Sequence, residues 1–155
     1  MIQRLLAFRS QWLGFLEHFA WLPPLWVRFT LGWVFMGAGW GKLHHLEDVV
    51  QFFASLNIPA PELQAPFVAT LELVCGVALL LGFATRLVAL PLIGVMGVAI
   101  ATALWEKFEG VSGLFGLSEY LYITLLAWLG ISGGGAVSVD TLLVRTFGGD
   151  RSTTR

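Results

Sequence analysis

Two residues stand out as able to do chemistry, Lys42 and Glu72. Each sits in apolar sequence: no charge lies between Arg28 and Lys42, and Glu72 is the one charge between Glu62 and Arg86. A carboxylate at the centre of a lipid bilayer costs about 2.5–3.5 kcal/mol on insertion scales, so it seeks a cation or a proton. Two roles follow. Paired with Lys42, Glu72 registers two helices; set in a polar pocket, it binds a headgroup or transfers protons. Glu106, Lys107 and Glu119 fall near the same depth, and carboxylates that share a site can hold and hand on a proton near neutral pH. Glu119 near a helix start also suits the helix dipole alone.

His44 and His45 are a different case. Neighbours on a helix point about 100° apart, so this pair chelates a metal only from a loop and with a third donor. Glu47, three residues after His44, is the candidate for a zinc or copper set. Solvent or lipid headgroups are the competing environment for both histidines. Cys75 is the one cysteine, which excludes an internal disulfide and a CxxC pair. It reads as packing.

The spacing implies the elements that must carry these residues. Arg28, Gly32, Phe35, Gly39 and Lys42 fall at i, i+4, i+7, i+11 and i+14, within about 80° of one another on a helix. Glu72, Gly76, Leu79, Phe83 and Arg86 repeat that spacing. Antiparallel neighbours would bring Lys42 level with Glu72 and Arg28 level with Arg86, with glycine faces between them.

Composition agrees with a membrane setting. The 155 residues are 57% hydrophobic and 12% charged, against about 25% charged in soluble domains. Seven Trp and eighteen Gly suit interface anchoring and close helix contact. Four spans are expected, at about 25–43, 67–83, 87–105 and 117–131, against the roughly 20 residues a crossing needs; the fourth is the shortest, with an alternative start near Leu114. Pro91 is expected in the first turn or so of the third, where its missing N–H costs little. Residues 1–21 read as an interfacial amphipathic helix, or an ordinary packing helix, with Leu5, Trp12 and Leu16 on one side. No compact apolar run and cleavage site follow Arg4 and Arg9, so a signal peptide is not expected. Glu47–Leu56 reads as a short amphipathic helix with Val50, Phe53 and Ala54 on one face. A membrane domain over 22–145 and a polar tail over 146–155 complete the division.

Arg4, Arg9, Arg28, Arg86, Arg145, Arg151 and Arg155 fall on one side of this scheme, and only Lys42 and Lys107 on the other. The positive-inside rule then places both termini in the cytoplasm. No basic, aromatic-interleaved patch suggests nucleic acid. No P-loop, dinucleotide fingerprint, HExxH or serine elbow is present. Neither a haem-ligating histidine pair nor an iron–sulfur signature appears.

Three stretches together carry a family resemblance: "RFTLGWVFMGAGWGKL" (28–43), "ATLELVCGVALLLGFATRLVAL" (69–90) and "GGGAVSVD" (133–140). In this order they resemble the DoxX family of small four-helix membrane proteins. The first looks like its Arg-x3-Gly…Gly-x2-Lys helix, the second like its Glu-x3-Gly…Leu-Gly-x2-Thr-Arg helix, and the third like its Gly-x-Gly…Ser-x-Asp ending. The third lacks the proline and the basic residue common in that motif. The resemblance implies a membrane subunit of an oxidoreductase system, such as the DoxD-type subunit of a thiosulfate:quinone oxidoreductase, or a membrane partner of a redox-stress enzyme. By position it singles out Arg28, Lys42, Glu72, Arg86 and Glu119.

The expectation is an all-α, four-helix transmembrane bundle in a bacterial inner membrane. It would serve as an accessory subunit or anchor that binds a quinone or similar amphiphile, with a soluble or membrane redox partner and room for a homodimer. Lys42, Glu72, Arg28, Arg86 and Glu106 would bind the ligand, and Glu72 or Glu119 would relay protons. The competing expectations are a small transporter or binding protein for a metabolite or metal ion, and a scaffold in which Lys42–Glu72 is structural.

Overall fold

A computed structural model describes residues 18–104 and 111–147 of the chain. Most of the expected interfacial helix, Glu106 with Lys107, and most of the expected tail lie outside the described residues. The described residues are helical, without strands.

Helix α1 spans Leu22–His44. Pro23 and Pro24 open it, where a fixed φ and a missing N–H suit the first turn. A short helix α2 follows at Leu46–Ser55, with Glu47 and Asp48 in its first turn, as the helix dipole favours. Helix α3 spans Pro61–Leu81, starting six residues before the expected 67. Pro66 lies inside it. Gly82 ends α3 in the left-handed region at φ 69°. There the Phe83 N–H donates to Ala78 O at 2.9 Å and the Gly82 N–H to Leu79 O at 3.0 Å, a glycine-dependent stop.

Helix α4, Thr85–Ala103, begins almost at once. It starts earlier than expected and places Pro91 in its interior rather than its first turn. Helices α5 (Val111–Phe115), α6 (Ser118–Ser132) and α7 (Val139–Phe147) complete the described chain.

α3 and α4 are long and apolar enough to cross a membrane, by length and composition. α1 has 23 residues and α6 has 15.

α1 packs along α3 and α4 along α6, while α3 and α4 touch more lightly. The glycine stripes explain the first pairing. A Cβ on Gly39 would fall against the Leu73 backbone N and 2.6 Å from Ala69 O; one on Gly76 would fall against the Met36 backbone. One on Gly32 would lie 2.9 Å from Gly76 O. Backbone therefore meets backbone, as small residues permit in membrane helix pairs. The shared core holds Leu31, Phe35, Leu79, Leu92, Leu126 and Leu129. Phe35 meets Tyr122 edge-on, with centroids 5.9 Å apart.

The outside is apolar too. Trp26, Trp33, Leu87 and Ile131 are 61–80% exposed, an amount of uncovered apolar surface that marks a lipid or partner-facing protein.

Candidate functional site

Lys42 closes α1 and Glu72 lies in α3. The Lys42 Nζ donates to Oε1 and Oε2 of Glu72, each at 2.6 Å. Glu72 is 1% exposed and Lys42 32%. The meeting expected from the matched spacings is present, and Gly39 and Gly76 bring the two backbones close enough for it.

The expected span of 67–83 sets Glu72 about one turn inside its end; the residue lies deeper. With α3 starting at Pro61, it is eleven residues from one end and nine from the other, about 16 and 14 Å at 1.5 Å per residue. It is near the middle of its helix, where an unpaired carboxylate is most costly.

The pair borders a cavity of about 490 Å³. The N-terminal half of α3 and the C-terminal half of α4 form its walls, through residues such as Phe67, Val68, Val95 and Val98. α2 lies across it and contributes Val49, Phe52 and Phe53. This face differs from the expected Val50, Phe53 and Ala54: Ala54 is exposed and only Phe53 of the three lines the cavity. Asp48, Gln64 and Thr102 add polar groups beside Lys42 and Glu72. Sequence reasoning missed them, because loop and helix-end residues carry no periodic signal.

The other expected site residues are dispersed. Glu119 accepts a 3.1 Å bond from its neighbour Ser118 Oγ and does not line the cavity. His44 Nδ1 lies 2.9 Å from Trp40 O, with its ring on the Trp40 indole at 4.5 Å between centroids. His45 links α1 to α2, its N–H donating to Gly41 O and Lys42 O. Glu47 lines a separate hollow with Glu62. Among the described residues no three His, Cys, Asp or Glu side chains gather as a metal set. Glu106 lies outside the described residues.

Arg28 and Arg86 lie at the end opposite Lys42, both bordering the Gly133–Gly134 segment, and neither lines the cavity. The turn at Gly82 ends α3, so Phe83 and Arg86 leave the Glu72 stripe and are exposed. Arg28 is 4% exposed and turns to the segment after α6. Its Nη1 donates to Gly134 O at 2.7 Å and its Nη2 to Val137 O at 2.8 Å. Asp140 accepts from the Ala84 N–H at 2.6 Å and the Thr85 N–H at 3.0 Å, and so caps α4. A Cβ on Gly82 would overlap the Arg28 guanidinium. The "GGGAVSVD" stretch thus clasps the end of the molecule opposite Lys42, a role its spacing alone did not reveal.

Comparison with known proteins identifies the family. The DoxX family profile matches residues 24–105. The chain is 32% identical to the inner membrane protein YqjF of Escherichia coli over 76% of its own length and 88% of that protein's. It is 32% identical to the membrane protein Rv3486 of Mycobacterium tuberculosis, over 78% and 82%. It is 29% identical to CatD of Bacillus subtilis, by name a candidate oxidoreductase, over 80% and 89%. No solved structure matches. A family match over more than half the chain, relatives aligned along most of their length and two helices fit to cross a bilayer lead to one conclusion: the chain is a membrane protein of the DoxX family.

Proposed function

We propose that the protein is a membrane subunit of an oxidoreductase system, and that a quinone or similar small amphiphile binds in the cavity beside Lys42 and Glu72. The observation that carries this reading is an ion pair with a buried carboxylate on the wall of a mostly apolar cavity. Its volume of about 490 Å³ falls in the usual range for small-molecule sites, roughly 300–1,000 Å³. Lys42 supplies three N–H donors, two of them engaged by Glu72, and can donate to a quinone oxygen. Glu72 takes up or gives protons as the bound ring is oxidised or reduced. The electrons belong to a redox partner, soluble or membrane-bound; the candidate-oxidoreductase name of CatD is in keeping with that.

In the same proposal α1, α3, α4 and α6 all cross a bacterial inner membrane as a four-helix bundle, with residues 1–21 lying at the interface. The described Arg28, Arg86 and Arg145 favour one end and Lys42 the other, which supports a topology with both termini in the cytoplasm.

The test is titration of the purified protein, in lipid nanodiscs, with a short-tailed benzoquinone. Saturable binding is expected, weakened about tenfold or more by Lys42→Met, which is about 1.4 kcal/mol or more. Non-saturable partitioning that the substitution leaves alone rejects the site.

A scaffold reading has its own support. Both carboxylate oxygens of Glu72 face Lys42 at 2.6 Å, which suits a structural lock between α1 and α3. Under that reading Lys42→Met lowers stability and no quinone binds the natural chain.

A further inference from the structure

The cavity has a side opening as well as a polar wall. α3 and α4 are joined through the tight turn at Gly82–Ala84. Away from that turn, the first half of α3 and the second half of α4 form opposite cavity walls, so the two helices diverge toward their far ends. Three wall residues there also face outward: Gly94 is exposed, Val98 is 54% exposed and Phe67 is 63% exposed. A Cβ built on Gly94 meets nothing within 4 Å. At this point the wall is missing a side chain.

The depth of the opening decides what passes through it. Gly94 is nine residues from each end of α4, or about 14 Å at 1.5 Å per residue. The hydrocarbon core is about 30 Å thick, so with α4 crossing the bilayer Gly94 faces its acyl interior. On the aqueous side α2 lays Phe52 and Phe53 over the cavity.

We infer that the ligand enters sideways from the lipid between α3 and α4 at Gly94 and Val98, and rests with its polar head at Lys42–Glu72 and an alkyl tail in this opening. This rests on the cavity being a ligand site, as proposed above, and adds that the ligand is a tailed, lipid-phase molecule. A soluble metabolite has no reason to meet an opening at this depth.

The test uses the full chain in nanodiscs and two probes, a decyl-substituted benzoquinone and the same ring without a tail. Gly94→Leu puts a side chain into open space, so the fold accommodates it. Gly97→Leu is the control: its Cβ also meets nothing within 4 Å, and Gly97 does not line the cavity. Val98→Trp is a second block at the same opening. The expected result is that Gly94→Leu and Val98→Trp weaken the decyl compound about tenfold or more, while the tailless ring stays within about twofold and Gly97→Leu changes neither. Unchanged decyl binding, or equal loss of both probes, overturns the route while leaving a ligand site. If neither probe binds the natural chain, the site itself is lost and the route falls with it.

Discussion

Lys42 Nζ sits 2.6 Å from each carboxylate oxygen of Glu72, on a different helix and thirty residues away in sequence. The two ends of this pair are unequal, since Lys42 is 32% exposed and Glu72 only 1%. Removing one member therefore has different consequences from removing the other. Lys42→Met strands a buried anion, and breaking a buried pair in this way costs about 3–5 kcal/mol. Glu72→Gln leaves a lysine that can swing toward the interface, and costs less. The double variant should recover part of the Lys42→Met loss. Unfolding in mixed detergent micelles measures all three; additive effects would mean the pair contributes nothing as a pair.

The glycines of the α1–α3 contact make a prediction with internal controls. Gly39→Ala and Gly76→Ala each drive a methyl into facing backbone, and overpacking of this kind costs about 1–3 kcal/mol. Gly37→Ala and Gly41→Ala, whose added Cβ meets nothing within 4 Å, should be neutral or mildly stabilising. Thermal midpoints of the four proteins decide it: equal losses at all four positions would contradict the close approach.

Asp140 accepts two backbone N–H groups at the start of α4. Asp140→Ala should cost about 1–2 kcal/mol, the upper part of the range for helix caps. Asp140→Asn keeps one acceptor oxygen and should recover some of that. Hydrogen exchange at the Ala84 and Thr85 amides should rise in both variants, and unaltered protection there would rule out the cap.

Chelator treatment tests the metal reading of His44, His45 and Glu47. His44 is engaged with Trp40, and no metal set forms among the described residues. The melting temperature should be the same before and after EDTA; a drop that zinc reverses, and that His44→Ala abolishes, would restore that site.

The part of the site that was legible in the sequence is the part governed by helical period. Lys42 and Glu72 meet because their positions repeat the glycine spacing on two faces that pack together. Pro23 and Pro24 marked the start of α1 for a local reason, whereas the start of α3 at Pro61 and its stop at Gly82 were not anticipated. What the period could not supply was everything set by the third dimension. Glu119 shares an expected depth with Glu72 yet bonds only to its own neighbour Ser118 in the bonds described, because equal depth does not mean a common side. Arg86 left its stripe because Gly82 stopped the helix first. Arg28 found carbonyls 106 and 109 residues away, and no pattern along a chain encodes so distant a partner.

Asp140 closes the start of a helix that was made 55 residues before it. While the chain is being synthesised, the first amides of α4 have to wait, as does the guanidinium of Arg28. Both find these partners only when the segment after α6 arrives. The last described helical stretch thus completes the start of α4, and a chain cut short after Ser132 would leave both the first turn of α4 and Arg28 without these partners.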